Sequence, residues 1–406
     1  PVCGPARSCM QTGMYATNTG VFKNGVALRE DAETLAKAFG RAGYQTAYVG
    51  KWHLGGIPAA FNMGNEPVPV DKRGGYEYWL GADVLESVSD AYETYLFNNN
   101  NERVFFPGYR ADGVTDAAIN YVAREWDRQR PFFLFTSLVE PHYQNTGDDY
   151  PPPTGYREPY TGRWVPPDLA ELGGSTHQHL GGYFGMVKRI DEAFGRMLDA
   201  LKSMRLLEDT VVLFTSDHGC HFKTRNGEYK RSVHESSVRV PMAARGPGFD
   251  RRGRVDALVS LVDLAPTLLD AAGLDVPESM DGRSAMPLVD HSAEVIRDEV
   301  FIQISESEVG RAIRTRRWKY GVTAEGVDGY EHSDSDSYVE TSLYDLQNDP
   351  YELNNLIGYD SHDNVAQLLK TKLKRQMVAA GEKEPTIESI GRKPYPCQMR
   401  VTEEEM

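Results

Sequence analysis

Three apolar runs, each ending in polar titratable residues, set the strongest constraint on how this chain folds. Thr46-Ala47-Tyr48-Val49-Gly50 leads into Lys51-Trp52-His53, and Pro131–Leu138 leads into Glu140-Pro141-His142. Thr210–Thr215 leads into Ser216-Asp217-His218-Gly219. Short continuous apolar runs bounded by polar residues read as strands buried on both faces. Helical spacing separates them. Ala32, Leu35, Ala36, Ala38 and Phe39 repeat at helical intervals between Glu30 and Gly43, with Asp31 as the expected cap and Gly43 as the stop. Further helices are expected over Asp112–Trp126, Gln178–Met204 and Asp263–Ala272, and a further strand around Val238–Arg245. This alternation predicts an α/β fold with a mostly parallel central sheet flanked by helices. Ligands of such sheets bind beyond the carboxyl ends of the strands. Lys51, His53, His142, Asp217 and His218 all fall there, so together they form the candidate site, although a single strand-end His is often only a structural residue.

Residues 55–110 read as a long polar segment, with a turn at Asn98–Asn101. Residues 144–175 hold six prolines and little periodicity, which predicts a loop or lid. Past residue 295 the character changes. Val300–Ile304, Gly310–Thr315 and Trp318–Val322 are short strand-like runs, and a helix is expected over Asn364–Ala380. Two units follow: a catalytic α/β domain over 1–295, and a C-terminal α+β subdomain over 296–406 with a small antiparallel sheet and a packed helix.

Composition excludes several classes. Lys and Arg total 44 against 59 Asp and Glu, a net charge of −15. That balance argues against a general binder of nucleic acid or of anionic membranes, while leaving room for a small basic pocket. No apolar run approaches the roughly 18 residues of a membrane span. Four cysteines, Cys3, Cys9, Cys220 and Cys397, are too few for a disulfide scaffold. Asp217 and His218 are both metal-capable, and Cys220 with His221 leaves zinc as an alternative, though at poor spacing.

Cys3-Gly4-Pro5-Ala6-Arg7, followed by Thr12-Gly13, is the most specific feature. Here the chain resembles the type I sulfatases of the alkaline-phosphatase superfamily, whose hallmark is Cys-x-Pro-x-Arg with Thr-Gly beyond it. The likeness continues in order through Gly50-Lys51-Trp52-His53, Pro141-His142, Ser216-Asp217-His218-Gly219, Lys230 and Arg239-Val240-Pro241. It ends at Leu343-Tyr344-Asp345-Leu346, Asp349-Pro350, Glu352 and Asn355-Leu356.

The resemblance implies that Cys3 is oxidised to formylglycine by a separate formylglycine-generating or anaerobic sulfatase-maturing enzyme. One hydroxyl of the hydrated aldehyde then attacks sulfur, and the second lets the aldehyde reform and expel sulfate. Lys51 and Lys230 are implied to hold the sulfuryl oxygens and Arg7 to orient the nucleophile. His53 is implied as base in the elimination and His142 as acid toward the leaving group. Asp217, His218 and position 3 are implied ligands of one divalent ion, most often calcium. The expected substrate is a small sulfate ester, on a saccharide rather than an aryl group because the 144–175 lid carries Tyr, Arg and Trp. His179, His221, Arg225 and His234 are candidate substrate contacts. A phosphodiesterase or phosphonate monoester hydrolase of the same superfamily, and a non-catalytic glycan-binding relative, stand as alternatives.

The chain departs from the commoner family pattern at Ala6, where Ser is usual, at His218, where many members carry Asn, and most of all at its start. Its opening at Pro1 reads as a cut within a longer protein, so compartment is not assigned. The acidic pair that the family carries on a first, central strand, about 40 residues before the Cys, has no counterpart here. The expectation is that the 406-residue chain alone binds metal poorly and shows little sulfatase activity, and that an upstream acidic segment restores it. Full turnover by the 406 residues alone, in a sulfate-release assay, would overturn this.

Overall fold

The computed structural model describes residues 1–57, 66–249 and 253–391. Strand β1 (Gln45–Lys51) sits within the main sheet and is buried along almost its whole length. It pairs in parallel with β2 (Tyr78–Ala82) on one side. On its other side it pairs, again in parallel, with β5 (Phe132–Ser137). Strands β3 (Thr94–Phe97) and β4 (Arg103–Phe106) extend the sheet antiparallel beyond β2, giving the order β4-β3-β2-β1-β5. Gly50 is required where β1 meets β5. Its φ is 116°, and a Cβ there would lie 2.0 Å from the Ser137 carbonyl oxygen.

The polar reading of 55–110 needs correcting over its described part; residues 58–65 lie outside the described residues. This stretch supplies three strands and a four-residue helix, Leu85–Val88. The strand signal was obscured because Tyr78-Trp79-Leu80-Gly81-Ala82 is short and flanked by charged and glycine-rich sequence. Asn98–Asn101 does turn the chain between β3 and β4, with Asn101 at φ 66°.

The expected first helix is shorter, Leu35–Arg41, because Thr34 rather than Asp31 caps it, accepting from the Lys37 amide. The helix expected over Asp112–Trp126 runs as an α-helix from Arg110 to Asn120 and then widens into a π-turn. A long helix spans Thr176–Ser203. Strands β6 (Val212–Thr215) and β7 (Met242–Arg245) pair antiparallel as a separate ribbon. Strand β7 starts only after Pro241, whose nitrogen cannot donate to a ladder. An additional helix covers Cys3–Thr12. Pro5 is tolerated in its first turn, and Gly13 closes it in the left-handed conformation.

The second sheet, in the order β12-β11-β10-β9-β8, contains β8 (Glu299–Ile304), β9 (Gly310–Thr315), β10 (Trp318–Thr323), β11 (Ser337–Asp345) and β12 (Thr386–Glu388). It is antiparallel except where β12 joins β11. Helix Asp363–Ala379 packs against it through Ala366, Leu369, Leu373 and Met377. Tyr15 and Val262 enter the same core, so the hydrophobic core on this sheet includes residues of the N-terminal part. Among the described residues no helix is long and apolar enough to cross a membrane.

One buried charge cluster clamps the second sheet to the segment beyond Lys230. Lys319 Nζ, fully buried on β10, lies 2.8 Å from Glu235 Oε1 and 2.7 Å from Glu352 Oε1. Glu352 also accepts the Glu235 amide at 2.6 Å. Removing the cation would leave two buried carboxylates without their shared partner. Lys319→Met is therefore expected to lower stability by about 3–5 kcal/mol, measured by urea unfolding.

Candidate active site

The site grows from the first turn of helix Cys3–Thr12. Cys3 is its first residue and is 1% exposed, and the next amide, of Gly4, donates to Asn24 Oδ1. Arg7 lies one turn on, on the same face. Its guanidinium donates to Ser137 Oγ at 2.6 Å and to the Lys51 carbonyl at 3.0 Å. Its Nε is 3.1 Å from Asp217 Oδ2. Arg7 thereby ties together the carboxyl ends of β1, β5 and β6.

Two ammonium groups converge on Cys3. Lys51 Nζ is 3.4 Å from Sγ and Lys230 Nζ is 3.2 Å from it. Lys230 Nζ is also 3.1 Å from His142 Nε2 and 3.2 Å from His218 Nε2, and the latter is 3.3 Å from Cys3 Sγ. The His142 Nδ1–H donates to the Tyr143 carbonyl at 2.6 Å, which leaves Nε2 as the acceptor facing Lys230. His53 follows β1 with φ 61°, is buried, and neither ring nitrogen has a hydrogen-bond partner among the described residues. A non-glycine residue in that backbone region, with an unsatisfied buried ring, is the kind of strain that marks a working site. The candidates Cys3, Arg7, Lys51, His53, His142, Asp217, His218 and Lys230 thus meet in one place, though they are spread over 228 positions of sequence.

The electrostatics follow from this crowding. Burial alone would raise the Cys3 thiol pKa, but Lys230, Lys51 and His218 outweigh it and hold the thiol well below its ordinary value. Burial, then Lys230, keeps His142 below the usual imidazole range and so neutral. Asp217 is held below the usual carboxylate range; burial opposes this, and His218 and Arg7 bring it about.

Glu86 is part of this site too and carries no sequence motif. It sits on helix Leu85–Val88, just past β2, with its side chain 3% exposed and Oε1 2.6 Å from Lys51 Nζ. The signal that could have found it is β2 itself: once that strand is placed beside β1, Glu86 falls at the same sheet edge as Lys51.

One donor atom each from Cys3, Asp217 and His218 lie within 4.8 Å of one another. A carboxylate and an imidazole beside position 3 suit part of a divalent-cation shell, but they fall short of the six to eight oxygens calcium prefers. The zinc alternative fails on geometry. Cys220 Sγ pairs with Tyr150 OH at 3.2 Å, and burial raises its pKa, which opposes the thiolate that zinc requires. Cys3, Cys9 and Cys220 are free thiols, and Cys397 lies outside the described residues.

The four candidate substrate contacts are placed in supporting positions. His221 is fully buried, its Nε2 3.0 Å from the Lys230 carbonyl, and burial lowers its pKa to about 4. The Arg225 guanidinium donates to the carbonyls of Tyr351 and Glu352. His234 Nε2 lies 3.1 Å from Tyr344 OH. His179 is 1% exposed and packs against the rings of Tyr150 and Tyr229. His221, Arg225 and His234 thus bond to other protein groups, and His179 is enclosed with neither ring nitrogen hydrogen-bonded among the described residues.

Comparison with known proteins adds a second line. Residues 1–274 match the sulfatase family model, and residues 227–379 match the model of the C-terminal part of N-sulphoglucosamine sulphohydrolase. An ulvan-active sulfatase of Formosa agariphila is 27% identical over 397 residues, which cover 94% of this chain and 73% of the relative. A structure solved in work on glycosaminoglycan metabolism by Bacteroides thetaiotaomicron superposes with a TM-score of 0.78 at 25% identity, covering 94% of this chain and 85% of the other. Another, a complex with its substrate D-glucosamine-2-N,6-O-disulfate, superposes at 0.74 and 22% identity, covering 95% and 89%, a likeness of fold.

If Arg225 is a strut between the segment before Lys230 and the Tyr351–Glu352 turn, Arg225→Ala should lower stability by about 1–3 kcal/mol. The KM for any turned-over substrate should stay near the wild-type value; chemical unfolding and steady-state kinetics measure the two effects separately.

Proposed function

This chain belongs to the formylglycine-type sulfatase family of the alkaline-phosphatase superfamily, shares that superfamily's fold and is a sulfuric ester hydrolase, and from that premise we propose that it desulfates a saccharide. The observation that carries the reading is the approach of Lys51 and Lys230 to Cys3 Sγ at 3.4 and 3.2 Å, with His142 3.1 Å beyond Lys230. Two fixed cations around a nucleophile position suit a tetrahedral anion whose oxygens gain charge in the transition state. The saccharide assignment is supported by the substrates named for the relatives, ulvan and a disulfated glucosamine. It is also supported by the segment 144–175, which brings Tyr, Arg and Trp side chains.

In this reading Cys3 is oxidised by a formylglycine-generating or anaerobic sulfatase-maturing enzyme, and the hydrated aldehyde supplies the attacking hydroxyl. Lys51 and Lys230 bind the sulfuryl oxygens. Arg7, locked to three strand ends, holds the helix that carries position 3. His142 faces the leaving-group oxygen: its Nε2, the acceptor at rest, takes a proton from the Lys230 ammonium 3.1 Å away and passes it to that oxygen, with the Tyr143 carbonyl fixing the ring through Nδ1–H. His53, with neither nitrogen hydrogen-bonded among the described residues, accepts the proton released when sulfate departs. Asp217, His218 and position 3 would hold a divalent ion, calcium in our reading, which when bound adds positive charge beside the sulfate.

The test is sulfate release from a panel of sulfated glycans by the product of the full-length gene, including any upstream acidic segment, co-expressed with a maturing enzyme, with the intact mass of the Cys3 peptide confirming conversion. His142→Ala should lower kcat on sugar sulfates by about 10²–10⁴-fold, and by much less on an aryl sulfate whose leaving group needs no proton. Absence of sulfate release from every panel member, with Cys3 converted, would overturn the proposal.

A further inference from the structure

Glu86 is a charged group at the reaction centre to which neither the sequence motifs nor the roles above assign a task. Its Oε1 accepts from Lys51 Nζ at 2.6 Å and lies 4.0 Å from His142 Nε2. A carboxylate oxygen of Glu86, a His53 ring nitrogen and Cys3 Sγ lie within 4.8 Å of one another. The other oxygen, Oε2, is buried and has no hydrogen-bond partner among the described residues. A carboxylate so enclosed is costly to keep charged. Burial works against its ionisation, and Lys51, followed by His142 and His53, overcomes it.

The side chains around Cys3 can be paired by charge. Arg7 is matched by Asp217 at 3.1 Å, and Lys51 by Glu86 at 2.6 Å. Lys230 faces Cys3 and the imidazoles of His142 and His218, and no carboxylate is within ion-pair distance of it among the described residues. Whatever charge a bound ion adds, Glu86 therefore cancels the charge of Lys51, so that among the lysines at position 3 only Lys230 lacks a carboxylate partner among the described residues. A sulfate monoester carries one negative charge. A phosphate monoester of the same shape approaches two near neutral pH. The second charge would be placed close to the Glu86 carboxylate in a site where water screens poorly.

We propose that Glu86 is a specificity-determining residue: by neutralising Lys51 it sets the anion pocket to accept singly charged esters and to reject doubly charged ones. This rests on the sulfatase reading above and names its selectivity.

The experiment compares kcat/KM of the matured protein and of Glu86→Gln on three esters of one aryl alcohol: sulfate, phosphate monoester and singly charged phosphate diester. In Glu86→Gln the ratio of phosphate monoester to sulfate should rise by about tenfold or more. The ratio of diester to sulfate should stay close to wild type, because shape alone is unchanged. A parallel fall on all three esters, with both ratios preserved, would make Glu86 a structural partner of Lys51 and overturn the inference. If Glu86→Gln does not fold, inhibition of the wild type decides the matter. Methyl phosphate should lose about tenfold in potency relative to methyl sulfate as pH rises and it gains its second charge near pH 6; equal or tighter inhibition would overturn the inference. Wild-type product of the full-length gene with Cys3 converted that releases no sulfate from aryl or sugar sulfates removes the sulfatase reading itself. Sulfatase activity with unchanged ratios removes only the part given to Glu86.

Discussion

Arg7 donates to Ser137 Oγ and to the Lys51 carbonyl, and its Nε faces the Asp217 carboxylate. Ser137 ends β5, Lys51 ends β1, and Asp217 follows β6. Because β6 belongs to a ribbon separate from the main sheet among the described residues, this guanidinium bridges two sheets that backbone hydrogen bonds do not join. It also sets Cys3, one helical turn away, above the point where those strand ends meet. Burial works against the charge on Arg7, yet Asp217 raises its pKa above the ordinary value, so the guanidinium stays charged.

The buried charges around that tie are arranged in pairs rather than as a cationic pool. Lys51 is kept ionised against burial by Cys3 and Glu86. An unpaired buried ion would cost several kcal/mol, and a pair held in good geometry offsets much of that. Lys230 is the exception, facing a thiol and two imidazoles. Lys230 has no carboxylate partner among the described residues, and an anion bound beside it meets a cation that no acidic side chain has already neutralised. This is the electrostatic sense in which the pocket suits a sulfate ester.

The second sheet supports the same pocket from a distance. Lys319 on β10 holds Glu235 and Glu352, and Arg225 holds the Tyr351–Glu352 turn. Arg225 and Glu235 flank Lys230 and Arg231 in the chain, so both ends of the segment that carries Lys230 are fastened to the C-terminal part. The sequence motif around Asp349-Pro350 and Glu352 therefore has a mechanical meaning. It anchors the Lys230 segment, and the left-handed backbone at Arg231, φ 66°, lies inside the fastened stretch.

Much of this was legible in the chain itself. Apolar runs ending in Lys51, His142 and Asp217 report strands whose carboxyl ends carry chemistry, because period and burial are local properties of sequence. The Cys3 to Arg7 spacing places both residues on one helical face, and that too is local. Tertiary structure alone decided the rest. Strand β2 was hidden in a polar stretch because its pairing with β1, not its own composition, makes it a strand. Glu86 entered the site only through that pairing. His179, His221, Arg225 and His234 had the residue types of substrate contacts, but what a polar side chain touches depends on which groups folding brings within about 3 Å of it. Sequence determined which groups could do the chemistry; packing decided which of them were left free to do it.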